Sequence, residues 1–306
     1  MRLHTTLGVA VAGVALSALA LTGCSAGTSA DAGSASGKLS IVASTNVYGS
    51  IAEAVGGDLV DVTSIIDDPA QDPHSFEADA QVQLALSKAD VVVENGGGYD
   101  DFVDTLLKGA SNADAVVLNA ATISGYDQEP ATGEFNEHLW YDFPTVQKVA
   151  DELSAQLGKI DADDAATFEA NAAAFTAKLK TLEATEAKLK SSSAGAGVAI
   201  TEPVPLYMLD AAGLVNKTPD AFSEAIEEGS DVSPAVLQQT LALFADGSVK
   251  LLAYNEQTTG AETEQLLAAA KANNVAVVPV TETMPAGTDY IGWMTSNLDA
   301  ITAALG

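Results

Sequence analysis

A stretch with no strand candidate, Phe143 to Ser191, splits this chain and constrains its fold more than any other feature. It is dense in Ala, Lys, Glu and Leu, residues that give up little on entering a helix. Asp163 to Lys190 reads as one long helix, with Phe168, Phe175, Leu179, Leu182 and Leu189 as its apolar positions. Such a helix is about 40 Å long at 1.5 Å per residue, enough to cross a small domain. The run Ser191-Ser192-Ser193-Ala194-Gly195 stops it, and a break is expected near Gly158.

Short β-rich runs alternate with helical patterns on both sides of this stretch. Before it, strands are predicted at Leu39–Ser44, Leu59–Ile66, Ala89–Glu94 and Ala115–Asn119, with helices at Tyr48–Val55, Ala78–Lys88 and Asp100–Lys108. After it, strands are predicted at Gly197–Thr201, Leu251–Asn255 and Val275–Val280, with helices at Pro205–Ala212, Pro234–Ala245, Ala261–Ala270 and Trp293–Leu305. Alternation of this kind builds parallel sheets from βαβ units. The fold expected is therefore α/β, with two lobes, each on a mostly parallel sheet, joined by one long α-helix. No internal sequence repeat is visible.

The N-terminal segment sets an expected compartment. Arg2 precedes an apolar run from Leu7 to Leu21, too short and too lightly flanked to span a membrane comfortably, so it reads as a signal segment. Leu21-Thr22-Gly23-Cys24 follows and resembles a bacterial lipoprotein box, in which the chain is cut before the cysteine and that cysteine is lipidated. Cys24 is the only cysteine of the chain, so no internal disulfide can form, and lipidation explains an otherwise odd thiol. Ser25 to Gly37 is Gly/Ser/Ala-rich and reads as a flexible tether. The expected organisation is a signal peptide at 1–23, the tether at 24–37, an N-terminal lobe at 38–142, a helical linker at 143–194 and a C-terminal lobe at 195–306.

The formal charge of −29, with Arg2 the only arginine, makes nucleic acid and anionic lipid headgroups poor partners. It also argues against acidic organic solutes, which arginine commonly binds. Cations, by contrast, are drawn to such a surface.

Beyond His4, which lies in the signal segment, the chain carries two histidines, His74 and His138. They sit in DPHSFE and NEHLWYDFP, beside carboxylates, aromatics and proline, and neutral imidazole is the commonest transition-metal ligand. In open α/β sheets, ligands lie beyond the carboxyl ends of the strands. His74 follows the second predicted strand, His138 precedes the helical stretch, Glu202 directly follows GVAIT and Glu282 directly follows VAVVPV. The first two belong to one lobe and the last two to the other, the arrangement of an inter-lobe cleft. Simpler readings stand beside this one. His74 could hydrogen-bond Asp72 or Glu77, His138 could pair with Tyr141 or Asp142, and Glu202 could be solvated. Glu282 could lie on the surface, with Asp289 and Glu256 as alternative acids. Asp67, Asp68 and Asp72 read as loop-shaping, and Trp140 and Trp293 as packing.

These motifs resemble the substrate-binding lipoproteins of bacterial zinc, manganese and iron ABC importers. Asp72-Pro73-His74-Ser75-Phe76-Glu77 matches that family's DPH-x-x-E motif, and His138-Leu139-Trp140 its H-x-W. TEPVPLYMLDAAGL and VTETMPAGTDYIGWM place Glu202 and Glu282 at its third and fourth ligand positions, and NGGGYDDF and YNEQTT also resemble family segments. The match runs from about residue 39 to the end. The resemblance implies a metal site in the cleft between the lobes, with His74, His138, Glu202 and Glu282 as ligands to one divalent ion. It further implies a monomeric receptor held outside the cell membrane by lipidated Cys24, delivering its ion to an ABC permease and catalysing nothing.

The chain departs from the family pattern at two points. Gly125 to Glu137 is acidic but lacks the additional histidines that zinc members often carry before the second ligand, and Glu282 stands where Asp is common. Two imidazoles and two carboxylates balance one divalent charge. Zinc accepts a four-coordinate N/O set, while chelating carboxylates raise the coordination number toward what Mn(II) prefers, so manganese is favoured over zinc. Rival readings are a metal-dependent hydrolase, which needs an open coordination position, and a surface adhesin with a structural ion.

Overall fold

The computed structural model describes residues 37–68, 71, 73, 76 and 80–306. In the first lobe, strand β1 (Leu39–Thr45) runs into helix α1 (Asn46–Gly56), followed by β2 (Val60–Ile66), α2 (Ala80–Leu86), β3 (Val91–Glu94), α3 (Phe102–Ala110), β4 (Val116–Asn119) and α4 (Ala120–Ser124). All pairings are parallel and the strand order is β2-β1-β3-β4.

Two helices follow, α5 (Phe143–Ile160) and α6 (Ala165–Ser193). The second lobe holds β5 (Gly197–Ile200), α7 (Leu206–Ala211), β6 (Val215–Asn216), α8 (Asp220–Glu227), α9 (Pro234–Ala245), β7 (Leu251–Asn255), α10 (Ala261–Ala272), β8 (Ala276–Val280) and α11 (Tyr290–Leu305). Its sheet is again parallel, in the order β6-β5-β7-β8. The two lobes thus repeat one topology that no sequence repeat announces. In each, the order reverses beside the first strand, which opens a crevice at the carboxyl ends of β1 and β3 and of β5 and β7.

Side-chain alternation explains why such short strands form sheets buried on both faces. Ile41 and Ala43 point into a core that spans both lobes, while Val42 joins an outer cluster with Leu86, Val92 and Val103. Likewise Leu251 and Ala253 face the shared core, and Leu252 and Tyr254 an outer cluster with Phe222, Phe244 and Leu266.

Helix α6 has 29 residues and is the spine. Phe168, Ala172, Phe175, Leu179, Leu182, Glu186 and Leu189 are buried along one stripe, at alternating spacings of three and four. It packs against α1 and α5 on one side and α7 and α11 on the other. The five apolar positions predicted for it are all buried. Glu186, in the same stripe, was not foreseen.

The helical stretch breaks later than expected. Helix α5 continues through Gly158 to Ile160, and the turn falls at 161–164, with Gly158 lying against the first residue of α6. Helix α11 starts at Tyr290 rather than Trp293 because the Asp289 carboxylate accepts the Gly292 N–H at 2.7 Å and caps it. Three elements had no signal in the sequence reading: α4, β6 and α8. Among the described residues no helix is long and apolar enough to cross a membrane.

Candidate metal centre

The loops after β3, β5, β7 and β8 and the segment before α5 converge at the carboxyl ends of the two sheets. The turn Asn95-Gly96-Gly97-Gly98 opens the first lobe's share. Its glycines adopt φ of 70°, 67° and 98°, a region that L side chains avoid. A Cβ on Gly97 would also overlap the Phe135 ring. The buried Asp100 carboxylate accepts the N–H groups of Asn95 and Gly96, each at 2.7 Å, and locks this turn. Asn95 in turn donates to the Glu137 carbonyl at 2.9 Å and accepts the Tyr48 hydroxyl. In this way β3 dictates where residues 135–138 lie.

His138 is fully buried. Its ring meets Trp140 edge-on, with centroids 5.1 Å apart, and Tyr99 at 6.1 Å. The Asn136 side-chain oxygen stands 2.8 Å from Nδ1 and accepts the His138 backbone N–H at 3.1 Å. An amide oxygen can only accept, so Nδ1 carries a proton, and in the neutral ring Nε2 keeps the lone pair. Asn136 also reaches the second lobe: its Nδ2 donates to the Pro203 carbonyl at 3.2 Å, and its own carbonyl accepts the Tyr207 hydroxyl at 2.7 Å.

Glu202, two residues after β5, and Glu282, two residues after β8, are both buried. They share one donor. The Asn255 side-chain amide at the end of β7 donates to Glu202 and, at 2.9 Å, to Glu282. Gln257 fixes the Glu282 backbone, accepting its N–H at 2.6 Å and that of Thr283 at 3.2 Å.

Helix α8 adds a residue that the sequence reading missed. Oε1 of Glu227, its last residue, lies 3.5 Å from Nε2 of His138. One ligand atom each from Glu137, His138 and Glu227 fall within 4.8 Å of one another. Donors that share one ion at about 2.0–2.2 Å must lie no farther apart than about 4.4 Å, so the grouping is close to what a cation requires. Burial pushes the Glu227 carboxyl up to about 9, helped by the negative charges of Glu137, Glu202 and Glu282. Burial also lifts Glu137 to about 7, with Glu134 adding to it. Carboxylates crowded this way hold protons at neutral pH that a cation can replace.

Of the four residues expected as ligands, His138 lies against Glu227, Glu202 and Glu282 share the Asn255 amide and add their charge to the surroundings of Glu227, and His74 lies outside the described residues, as do Asp72, Glu77 and Cys24. The alternatives to Glu282 lie elsewhere: Asp289 caps α11 and Glu256 is exposed. Tyr126 rather than His138 bonds Asp142, through its hydroxyl at 3.1 Å. Asn255 lies in the YNEQTT segment, so a signal for it existed. Glu227 had none, because the acidic end of a short helix reads as solvated surface.

A family model described as zinc-uptake complex component A, periplasmic (ZnuA), matches residues 41–304. The manganese-binding lipoprotein MntA of Halalkalibacterium halodurans is 32% identical over 169 residues, which cover 54% of each chain. The chain thus spans about half the length of the manganese-binding relatives it matches. The iron ABC transporter substrate-binding lipoprotein MtsA of Streptococcus pyogenes serotype M1 is 27% identical over 261 residues, covering 78% of this chain and 81% of that one. Among solved structures, the laminin-binding adhesin Lmb of Streptococcus agalactiae superposes with a TM-score of 0.74 at 20% identity, over 88% of this chain and all of that one. That likeness concerns the fold alone.

Proposed function

The chain belongs to the family of periplasmic zinc-uptake complex component A proteins, and from that premise we propose that it captures a divalent transition-metal ion outside the cytoplasmic membrane and passes it to an ABC permease. The observation that carries this reading is the approach of the Glu227 carboxylate to His138 Nε2, with Glu202 and Glu282, held by one Asn255 amide, adding their charge to it. Leaving several carboxylates together in low dielectric is costly, and a divalent cation is the ligand that repays it.

In this reading His138, Glu202 and Glu282 are ligands and His74 completes the set. Asn136 holds the imidazole in the metal-binding tautomer, the outer-shell role that raises ligand basicity. Asn255 spaces two carboxylates until the ion arrives. Two carboxylates that can each chelate through both oxygens favour Mn(II) over Zn(II) as cargo, since the harder ion takes more oxygen donors. A full complement of protein ligands leaves no open coordination position for an activated water, which supports a carrier rather than a hydrolase. Lipidation at Cys24 would tether a monomeric receptor to the outer face of the membrane.

The test is a thermal melt of chelator-stripped protein titrated with Mn(II) and Zn(II). A ligand that binds only the folded state adds about 2.7 kcal/mol at a hundredfold excess over Kd. We expect a saturable rise with both ions that His138→Ala abolishes. A flat melt with every divalent ion would sink the proposal.

A further inference from the structure

The resemblance supplies four ligands, and none of them comes from α8. The geometry points to Glu227 as a fifth, a carboxylate whose presence selects Mn(II) over Zn(II); this inference rests on the receptor reading above. Glu227 Oε1 is 3.5 Å from the one imidazole nitrogen that Asn136 leaves with its lone pair toward the cleft. Glu137, the other acid of this grouping, directly precedes His138 in the chain, whereas Glu227 approaches from a separate element, α8.

Its placement differs from that of the other donors. His138 is 0% exposed, Glu202 2% and Glu282 7%, while the Glu227 side chain is 18% exposed. It lines a groove of about 470 Å³ whose walls include Glu134, Glu137, Asp220 and Glu224. Glu227 thus stands between that acidic groove and the buried imidazole, reachable from solvent. Added to the four ligands that the resemblance implies, this carboxylate makes five donors. Zn(II) is satisfied by four, whereas Mn(II) prefers a larger, oxygen-rich shell. Loss of Glu227 should therefore cost manganese more than zinc.

The experiment measures Mn(II) and Zn(II) dissociation constants of the full chain and of Glu227→Gln by competition with a fluorescent chelator. The metal-free melts of both are recorded to show that each is folded. We expect Glu227→Gln to weaken Mn(II) roughly 10- to 100-fold and Zn(II) by less than about threefold. The Co(II)-loaded variant should absorb more strongly in the visible, as the site moves toward four-coordination. Glu227→Asp, which keeps the charge but shortens the reach, should also weaken Mn(II) selectively. Glu228→Gln, on the same groove wall, should leave the ratio of the two constants unchanged. Equal weakening of both ions by Glu227→Gln would assign Glu227 to the field of the groove alone and overturn the inference, as would no change in either ion. In both cases the receptor reading survives. Should the unaltered chain bind neither ion, both fall.

Discussion

The side-chain oxygen of Asn136 lies 2.8 Å from Nδ1 of His138, two residues along the chain. This contact sets the imidazole tautomer, and the other atoms of Asn136 tie the same residue to Pro203 and Tyr207 of the opposite lobe. Asn136 thereby couples the orientation of the His138 ring to the seating of the lobes.

Asn136→Ala should weaken Mn(II) and Zn(II) alike, by roughly 10- to 100-fold, the usual effect of losing an outer-shell partner. The metal-free melting temperature should fall by only a few degrees, because the segment stays anchored through Asn95 and the Glu137 carbonyl. Chelator competition and a metal-free melt check both parts. Unchanged affinity would mean that the tautomer is set by something other than Asn136.

Metal binding should release protons. The Glu227 carboxyl, raised to about 9, and that of Glu137, raised to about 7, are wholly or partly protonated at pH 7.5 and must be stripped as a cation enters. Affinity should therefore climb from pH 6 to pH 9. Titration calorimetry at pH 7.5 in buffers of different ionisation enthalpy should count about one proton released per ion. Buffer-independent heats would contradict this.

Asn255→Ala should destabilise the metal-free protein by about 2–3 kcal/mol, since hydrogen bonds to charged groups contribute about 1.5–3 kcal/mol. The substitution removes the donor shared by Glu202 and Glu282 and leaves two buried carboxylates facing one another. Saturating Mn(II) should recover most of the loss by taking the amide's electrostatic place. The measurement is denaturant unfolding with and without the ion, and a loss that is equal in both would show that Asn255 acts only on packing.

Glu186 gives a pH effect remote from the metal. Burial on α6 pushes it up to about 8, with Asp142 and Glu183 adding to the shift. A carboxyl raised in the folded state contributes stability that is complete below its ordinary value of 4.5 and is lost as pH climbs through about 8. Glu186→Gln should therefore melt on the order of a few degrees higher than the parent at pH 8.5, for about 1–2 kcal/mol. Near pH 4.5 the two should be nearly equal. A constant difference across this range would show that ionisation of Glu186 does not limit stability.

Much of the scaffold was legible because strands and helices are written in short periods. The β-rich runs from Leu39 to Asn119 and the stripe from Phe168 to Leu189 each declare their partners within a few residues. Three short elements, α4, β6 and α8, did not: β6 is a pair of residues held by Gly197 and Val198, and α8 has no periodic run long enough to stand out. Motif spacing pointed to His138, Glu202 and Glu282, which the fold buries in segments that follow strands or precede the helical stretch.

What the sequence determined by itself was this alternation, the dividing helical spine and the loops in which chemistry could reside, all consequences of local pattern. What only the tertiary structure decided was which distant side chains meet. Glu227 beside His138, Asn255 between Glu202 and Glu282, and Asn136 reaching Pro203 all depend on how two sheets are seated about α6. A carboxylate at a helix end looks the same in sequence whether it faces water or a buried imidazole. Only the packing of α8 decides which it faces.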